Sequence, residues 1–193
     1  MCLQGWWAAS YVVLWLLVCA LAVVVVALAR QIGTLHLRLG PRGALEVDTE
    51  GPRLDEAPPV FDTEDVNGDP AAIGGPGERK LLLFASPGCM VCDEVIPGLR
   101  AAAGNAGARP FILSDLHREE AIASFDRKLP APLIASPEIA AAYEVPGTPF
   151  VVFLDELGVV RAKGTPNNLE QMEGLVDTAL RRMRDAASER QAS

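Results

Sequence analysis

Leu81-Leu82-Leu83-Phe84-Ala85-Ser86-Pro87-Gly88-Cys89-Met90-Val91-Cys92 is the stretch that decides how this chain folds. The unbroken apolar run reads as a buried strand. Ser86-Pro87-Gly88 is a turn, and C-x-x-C then opens a helix. A helix start has N–H groups without intrahelical partners, and these favour a thiolate on the first cysteine. The second cysteine follows one turn later, close enough to shut a small ring. Further along, Val145-Pro146-Gly147-Thr148-Pro149-Phe150 leads into another apolar strand. Together the two signals read as a site for thiol–disulfide exchange.

In that chemistry Cys89 is the expected attacking sulfur, and Cys92, one turn deeper, the resolving one. The bland alternative is a static disulfide or two buried thiols. Thr148 and Pro149 are expected to bind substrate. An X-Pro bond adopts the cis form at modest cost, and a cis Pro149 beside Cys89 would leave a backbone edge free for pairing. Its alternative is a proline at a strand entry. Pro97 removes a helix hydrogen bond and marks a kink behind the cysteines. A zinc site needs about four ligands. Cys2 and Cys19 fall in or beside an apolar run, and His36 and His117 stand alone. No metal or organic cofactor is therefore expected.

The formal net charge of −8 offers no basic stripe to neutralise phosphates, so nucleic acid is not an expected partner. No Asp, Glu, Lys or Arg occurs before Arg30, and Trp6 to Ala29 is almost wholly apolar. A bilayer core takes ~20 apolar residues as helix, so a span of about 8–29 is expected, with Trp6, Trp7 and Tyr11 as interfacial aromatics. Ala27-Leu28-Ala29 mimics a signal-peptide cleavage site, but the run is too long and lacks a preceding positive residue. Arg30, Arg38 and Arg42 all follow the span, which taken alone puts the remainder in the cytoplasm. A tethered dithiol suits an oxidising compartment. The expectation is a single-pass inner-membrane protein with its domain in the periplasm.

The organisation expected is an anchor and stalk over 1–40, a linker over 41–59, a domain over 60–186 and a frayed tail over 187–193. Asn67-Gly68 marks a small hairpin between Val60–Val66 and Ala71–Ile73. Strands are expected at Lys80–Ala85, Arg109–Leu113, Ala131–Ala135, Phe150–Leu154 and Val159–Ala162. Helices are expected at Cys89–Ala103, His117–Arg127, after the N-cap Ser136, and from Asn168 to about Ala186. That order gives an α/β thioredoxin fold, a mixed sheet flanked by helices.

From about Pro52 to Ala179 the chain resembles the redoxin branch of the thioredoxin superfamily. Asp55-Glu56-Ala57-Pro58-Pro59-Val60-Phe61 and Asp65-Val66-Asn67-Gly68 are similar to the opening of membrane-anchored redoxins. Over nearly its whole length the chain resembles the MauD family of methylamine dehydrogenase maturation proteins. Ala27-Leu28-Ala29-Arg30-Gln31-Ile32-Gly33, Leu35-His36, Gly40-Pro41-Arg42-Gly43-Ala44-Leu45, the C-x-x-C stretch and Gly147-Thr148-Pro149-Phe150 carry that likeness. It implies a membrane-anchored thiol–disulfide oxidoreductase or isomerase. The implied client is the cysteine-rich small subunit of an amine dehydrogenase, which matures in the periplasm, and a membrane redox partner is implied beside it.

Two departures bear on direction. The family commonly has Pro where this chain has Met90, and Thr where it has Gly88. Thioredoxins also carry a buried acid in the strand before the motif, and Leu81-Leu82-Leu83-Phe84 has none, which leans towards an oxidase or isomerase. The alternatives are a thiol reductant for cytochrome c maturation and a tethered scaffold without turnover. A peroxiredoxin is disfavoured because Leu82 stands where its motif has proline.

Overall fold

The computed structural model of the chain describes residues 10–24, 50–125 and 128–192. It divides into two units, Met1–Pro41 and Arg42–Ser193. In the first, helix α1 covers residues 10–24, with Tyr11 and Trp15 meeting edge to face one turn apart at 6.4 Å between ring centroids. At 1.5 Å per residue the described part of this helix rises ~22 Å. Among the described residues no helix is long and apolar enough to cross a membrane. The ends of the expected span and the stalk Arg30–Leu39, with His36, lie outside the described residues.

The second unit opens with an antiparallel hairpin, β1 (Phe61–Glu64) and β2 (Pro70–Ile73). Asp65 shapes its turn. One carboxylate oxygen accepts the N–H of Asn67 at 2.7 Å and of Asp69 at 3.0 Å. The same device recurs at Asp155, whose Oδ1 accepts the N–H groups of Leu157 and Val159, both at 2.9 Å.

The main sheet comprises β3 (Lys80–Phe84), β4 (Arg109–Ser114), β5 (Leu133–Ala135), β6 (Phe150–Leu154) and β7 (Val160–Gly164), in the order β5-β4-β3-β6-β7. β3, β4 and β5 run parallel; β6 is antiparallel to β3, and β7 to β6. Successive side chains of a strand point to opposite faces, so one apolar run serves two cores. Leu81, Leu83, Ile112, Val151 and Phe153 meet α2 (Met90–Val95), α3 (Leu99–Asn105) and α6 (Leu169–Ala192) on one side. Leu82, Phe84, Phe111, Val152 and Leu154 meet β2 and α5 (Pro137–Ala142) on the other. This is a thioredoxin-like α/β fold.

Several boundaries differ from the sequence expectation. α4 is Arg118–Ser124, ending before Arg127, because Phe125 leaves helical geometry and turns its ring onto the core. β5 begins at Leu133, not Ala131, since Pro132 has no N–H to give a ladder. α6 runs past Ala186 to Ala192, where helix-forming polar residues extend it beyond its apolar stripe. Ser136 caps α5 as expected, accepting the N–H of Ile139 at 3.3 Å.

The stretch read as linker is seated on the sheet from Glu50 onward. Asp55 N–H donates to Val160 O at 2.9 Å, and Val160 N–H donates to Glu56 O at 3.0 Å. On the opposite edge Val66 N–H donates to Leu133 O at 2.9 Å.

Candidate active site

Cys89 lies where β3 hands over to α2. Gly88 takes φ +73°, a left-handed conformation that glycine adopts without steric cost, and turns the chain into the helix. Cys89 is the N-cap of α2, and its Sγ accepts the N–H of Cys92 at 3.2 Å. The sulfur thus takes the place of the usual Ser or Asp oxygen, satisfying an N–H that the helix itself cannot. A 3₁₀ turn at Ile96–Gly98 contains Pro97 and separates α2 from α3, so the kink expected at Pro97 is present.

Cys89 and Cys92 are joined as a disulfide with their Cα atoms 5.2 Å apart. Their surroundings differ sharply. Cys89 is half-buried, whereas Cys92 is 0% exposed within the cluster containing Leu83, Ala85, Val95 and Val151. Met90, between the two cysteines, projects into solvent at 82% exposure.

The sheet brings the second motif alongside. Phe84 pairs with Phe150, so the residues just before β6 flank the turn that follows β3. The Thr148-Pro149 peptide bond is cis, and Thr148 O lies 3.8 Å from Cys89 Sγ. Pro149 is buried and Thr148 half-buried. All four residues singled out in the sequence therefore meet at one end of the sheet. His117 sits elsewhere, as the N-cap residue of α4 without a side-chain capping bond. Cys19 is exposed on α1. Among the described residues no group of three or more His, Cys, Asp or Glu is placed to hold a metal ion.

Sequence reasoning did not single out Gly51 or Lys163, and gave Phe150 no role beyond its place in the Gly147-Thr148-Pro149-Phe150 stretch. Gly51 lies so close to the Phe150 ring that an added Cβ would fall 2.6 Å from Cζ. Lys163 is 1% exposed and donates from Nζ to Glu50 O at 2.7 Å. The available signal was a lysine set in Val160-Arg161-Ala162-Lys163-Gly164, a strand otherwise well suited to burial.

No protein-family model matches the chain. Among solved structures, StoA from Bacillus subtilis superposes with a TM-score of 0.51 at 19% identity, covering 60% of this chain and 95% of that one. A putative protein disulfide isomerase from Bacteroides thetaiotaomicron reaches 0.56 at 18% identity, covering 77% and 97%. These likenesses concern the fold. Sequence relatives are nearer. A methylamine utilization protein MauD from Methylobacillus flagellatus is 38% identical over 185 residues, 91% of this chain and 87% of the relative. The protein of that name from Paracoccus denitrificans is 36% identical over 174 residues, 88% and 86% of the two chains. Likeness at that level, along almost the whole length of both partners, places this chain in the MauD family of methylamine utilization proteins.

Proposed function

We propose that this protein is a membrane-tethered thiol–disulfide oxidoreductase that forms or rearranges disulfides in the small subunit of methylamine dehydrogenase. The single observation that carries the chemistry is the unequal pair: a half-buried Cys89 capping a helix, bonded to a wholly buried Cys92, with Thr148 O beside the outer sulfur. The family relationship supports the connection with methylamine utilization.

In the oxidising direction a client thiolate attacks Cys89 Sγ, and the Cys89–Cys92 bond breaks with its electron pair going to Cys92. A second client thiolate then attacks the client sulfur of the mixed disulfide and expels Cys89 as thiolate. The client loses two electrons and two protons, and the cysteine pair gains the electrons. In rearrangement, a reduced Cys89 attacks a client disulfide and a client thiolate later displaces it, with no net electron transfer. Thr148 and Pro149 hold the client backbone against the sulfur.

The apolar setting of Cys92 bears on direction. A charged sulfur there is disfavoured by desolvation, since Cys92 is wholly buried among apolar side chains. Steps that make or use the Cys92 thiolate are therefore slow, and the mixed disulfide through Cys89 is long-lived. A long-lived adduct gives client thiols time to exchange among themselves, which favours rearrangement.

The tether is supported by the uncharged run before Arg30 and by α1, whose Tyr11, Leu14, Leu16, Leu17 and Leu21 are all exposed. An exposed apolar surface of that kind calls for a non-aqueous cover. In this proposal the catalytic domain faces the periplasm, and a membrane redox partner takes up the electrons. The test is trapping. Cys92→Ser, expressed beside the methylamine dehydrogenase subunits, should accumulate a mixed disulfide between Cys89 and the small subunit. Recovery of a different client, such as a cytochrome, would overturn the assignment of substrate.

A further inference from the structure

We propose that residues 50–56 form a strap, fastened by Lys163, that positions the wall of the exchange site for a polypeptide client. The strap is built from three fastenings. At one end Lys163 Nζ holds Glu50 O at 2.7 Å. In the middle Gly51 and Pro52 are buried, with Gly51 lying directly against the Phe150 ring. At the other end the Asp55 and Glu56 backbone bonds to Val160, and the Asp55 carboxylate accepts Arg161 Nη1 at 2.7 Å.

The direction of the strap matters. Val151 pairs with Gly164 and Val152 with Lys163, so Lys163 lies near the end of the sheet that carries Thr148 and Pro149. The strap begins there and runs along β7 towards Val160, away from the site. Its first residues touch Phe150, the residue bonded to Pro149. Gly51 has φ +72° and no side chain, the only way the backbone can approach the ring this closely. Burying a lysine is costly, and a neutral side chain could fill the same space. The ammonium group of Lys163 instead secures a main-chain carbonyl next to the site.

Lys163 and Gly51 are positioning residues. They do not touch the reacting sulfurs; they set where Phe150, and through it Pro149 and Thr148, stand relative to Cys89. A small disulfide needs only Cys89. An extended polypeptide must also lie along Thr148, so a displaced wall should penalise the polypeptide selectively.

The inference rests on the reading of Cys89 as the attacking sulfur, and Cys89→Ser separates the two. If that variant still exchanges, the reading itself fails. The experiment compares Lys163→Met, Lys163→Arg and Gly51→Ala in the full chain. Each reacts with hydroxyethyl disulfide and, separately, with scrambled ribonuclease A, while hydrogen exchange follows the Asp55 and Val160 amides, which bond the strap to β7. In Lys163→Met those amides should lose protection. The kcat/KM for ribonuclease should fall about tenfold, mainly through KM, with the small disulfide changed less than about twofold. Lys163→Arg should recover most of the ribonuclease rate. If Lys163→Met fails to fold, Gly51→Ala should give the same split by pressing on Phe150. Equal losses on both substrates, or a released strap without effect on ribonuclease, would overturn the proposal.

Discussion

Reduce the Cys89–Cys92 bond, and the two thiols should differ greatly in reactivity, by an amount the site geometry sets. Cys89 Sγ accepts the Cys92 N–H at 3.2 Å. A hydrogen bond to a charged acceptor contributes about 1.5–3 kcal/mol; a free cysteine is already about 3% thiolate at neutral pH, so the thiolate population can rise roughly ten- to thirtyfold. Cys92 is 0% exposed, so a reagent reaches it only when the start of α2 opens. An opening cost of only ~1.4 kcal/mol removes a further factor of ~10. The expected ratio of Cys89 to Cys92 labelling is therefore at least ~10 and nearer ~100. The assay is brief iodoacetamide exposure of the reduced protein at neutral pH, with each cysteine quantified by peptide mass mapping. Urea supplies the control: unfolding removes both the capping bond and the burial, and the ratio should collapse towards one. Native labelling of Cys92 as fast as Cys89 would refute the division of roles between the sulfurs.

Two other outcomes are expected. Alkaline phosphatase fused after Ser193 should be active, since it folds in the periplasm; a fluorescent cytoplasmic fusion would instead vindicate the arginines that follow the apolar run. The acid limb of the stability curve should depend on Asp65. Burial opposes its charge, but N–H groups of Asp69, Asn67 and Gly68 and the Asn67 side chain outweigh that and hold the carboxyl below the ordinary aspartate range. A depressed folded-state value stabilises the fold above the unfolded value near ~4, and the benefit is lost as pH falls through the folded one. Thermal melts between about pH 6 and pH 3 should show a shallower acid loss in Asp65→Asn, and parallel curves would refute the role.

Local signals in the sequence were strong wherever a residue's fate depends on its neighbours. The apolar run before Cys89 and the Phe150–Leu154 run are strands because both of their faces are buried, and burial on both faces leaves a continuous hydrophobic mark. Ser136-Pro137 marked a helix start through capping chemistry that spans three residues. The cysteine pair and Thr148-Pro149 could be read as parts of one site because this order of motifs has a known architecture. What escaped was set by distant contacts. Nothing near Lys163 announces that its partner is the carbonyl of Glu50, and nothing near Gly51 announces Phe150. The ends of α4 and α6 were equally obscure, since one depends on where the Phe125 ring packs and the other on solvated polar residues with no stripe.

The backbone bonds at both edges of the five-stranded sheet have a consequence under the proposed function. Open strand edges are templates on which partly folded chains aggregate. Here Val66 occupies the β5 side at Leu133, and Asp55 with Glu56 occupies the β7 side at Val160. Under the proposed function, a client still searching for its own strand partners would find each flank already occupied at one end. Attachment at the sulfur end would instead be a single covalent bond that chemistry can undo. Such an arrangement would let the fold hold a half-made chain with less risk of being drawn into a precipitate with it.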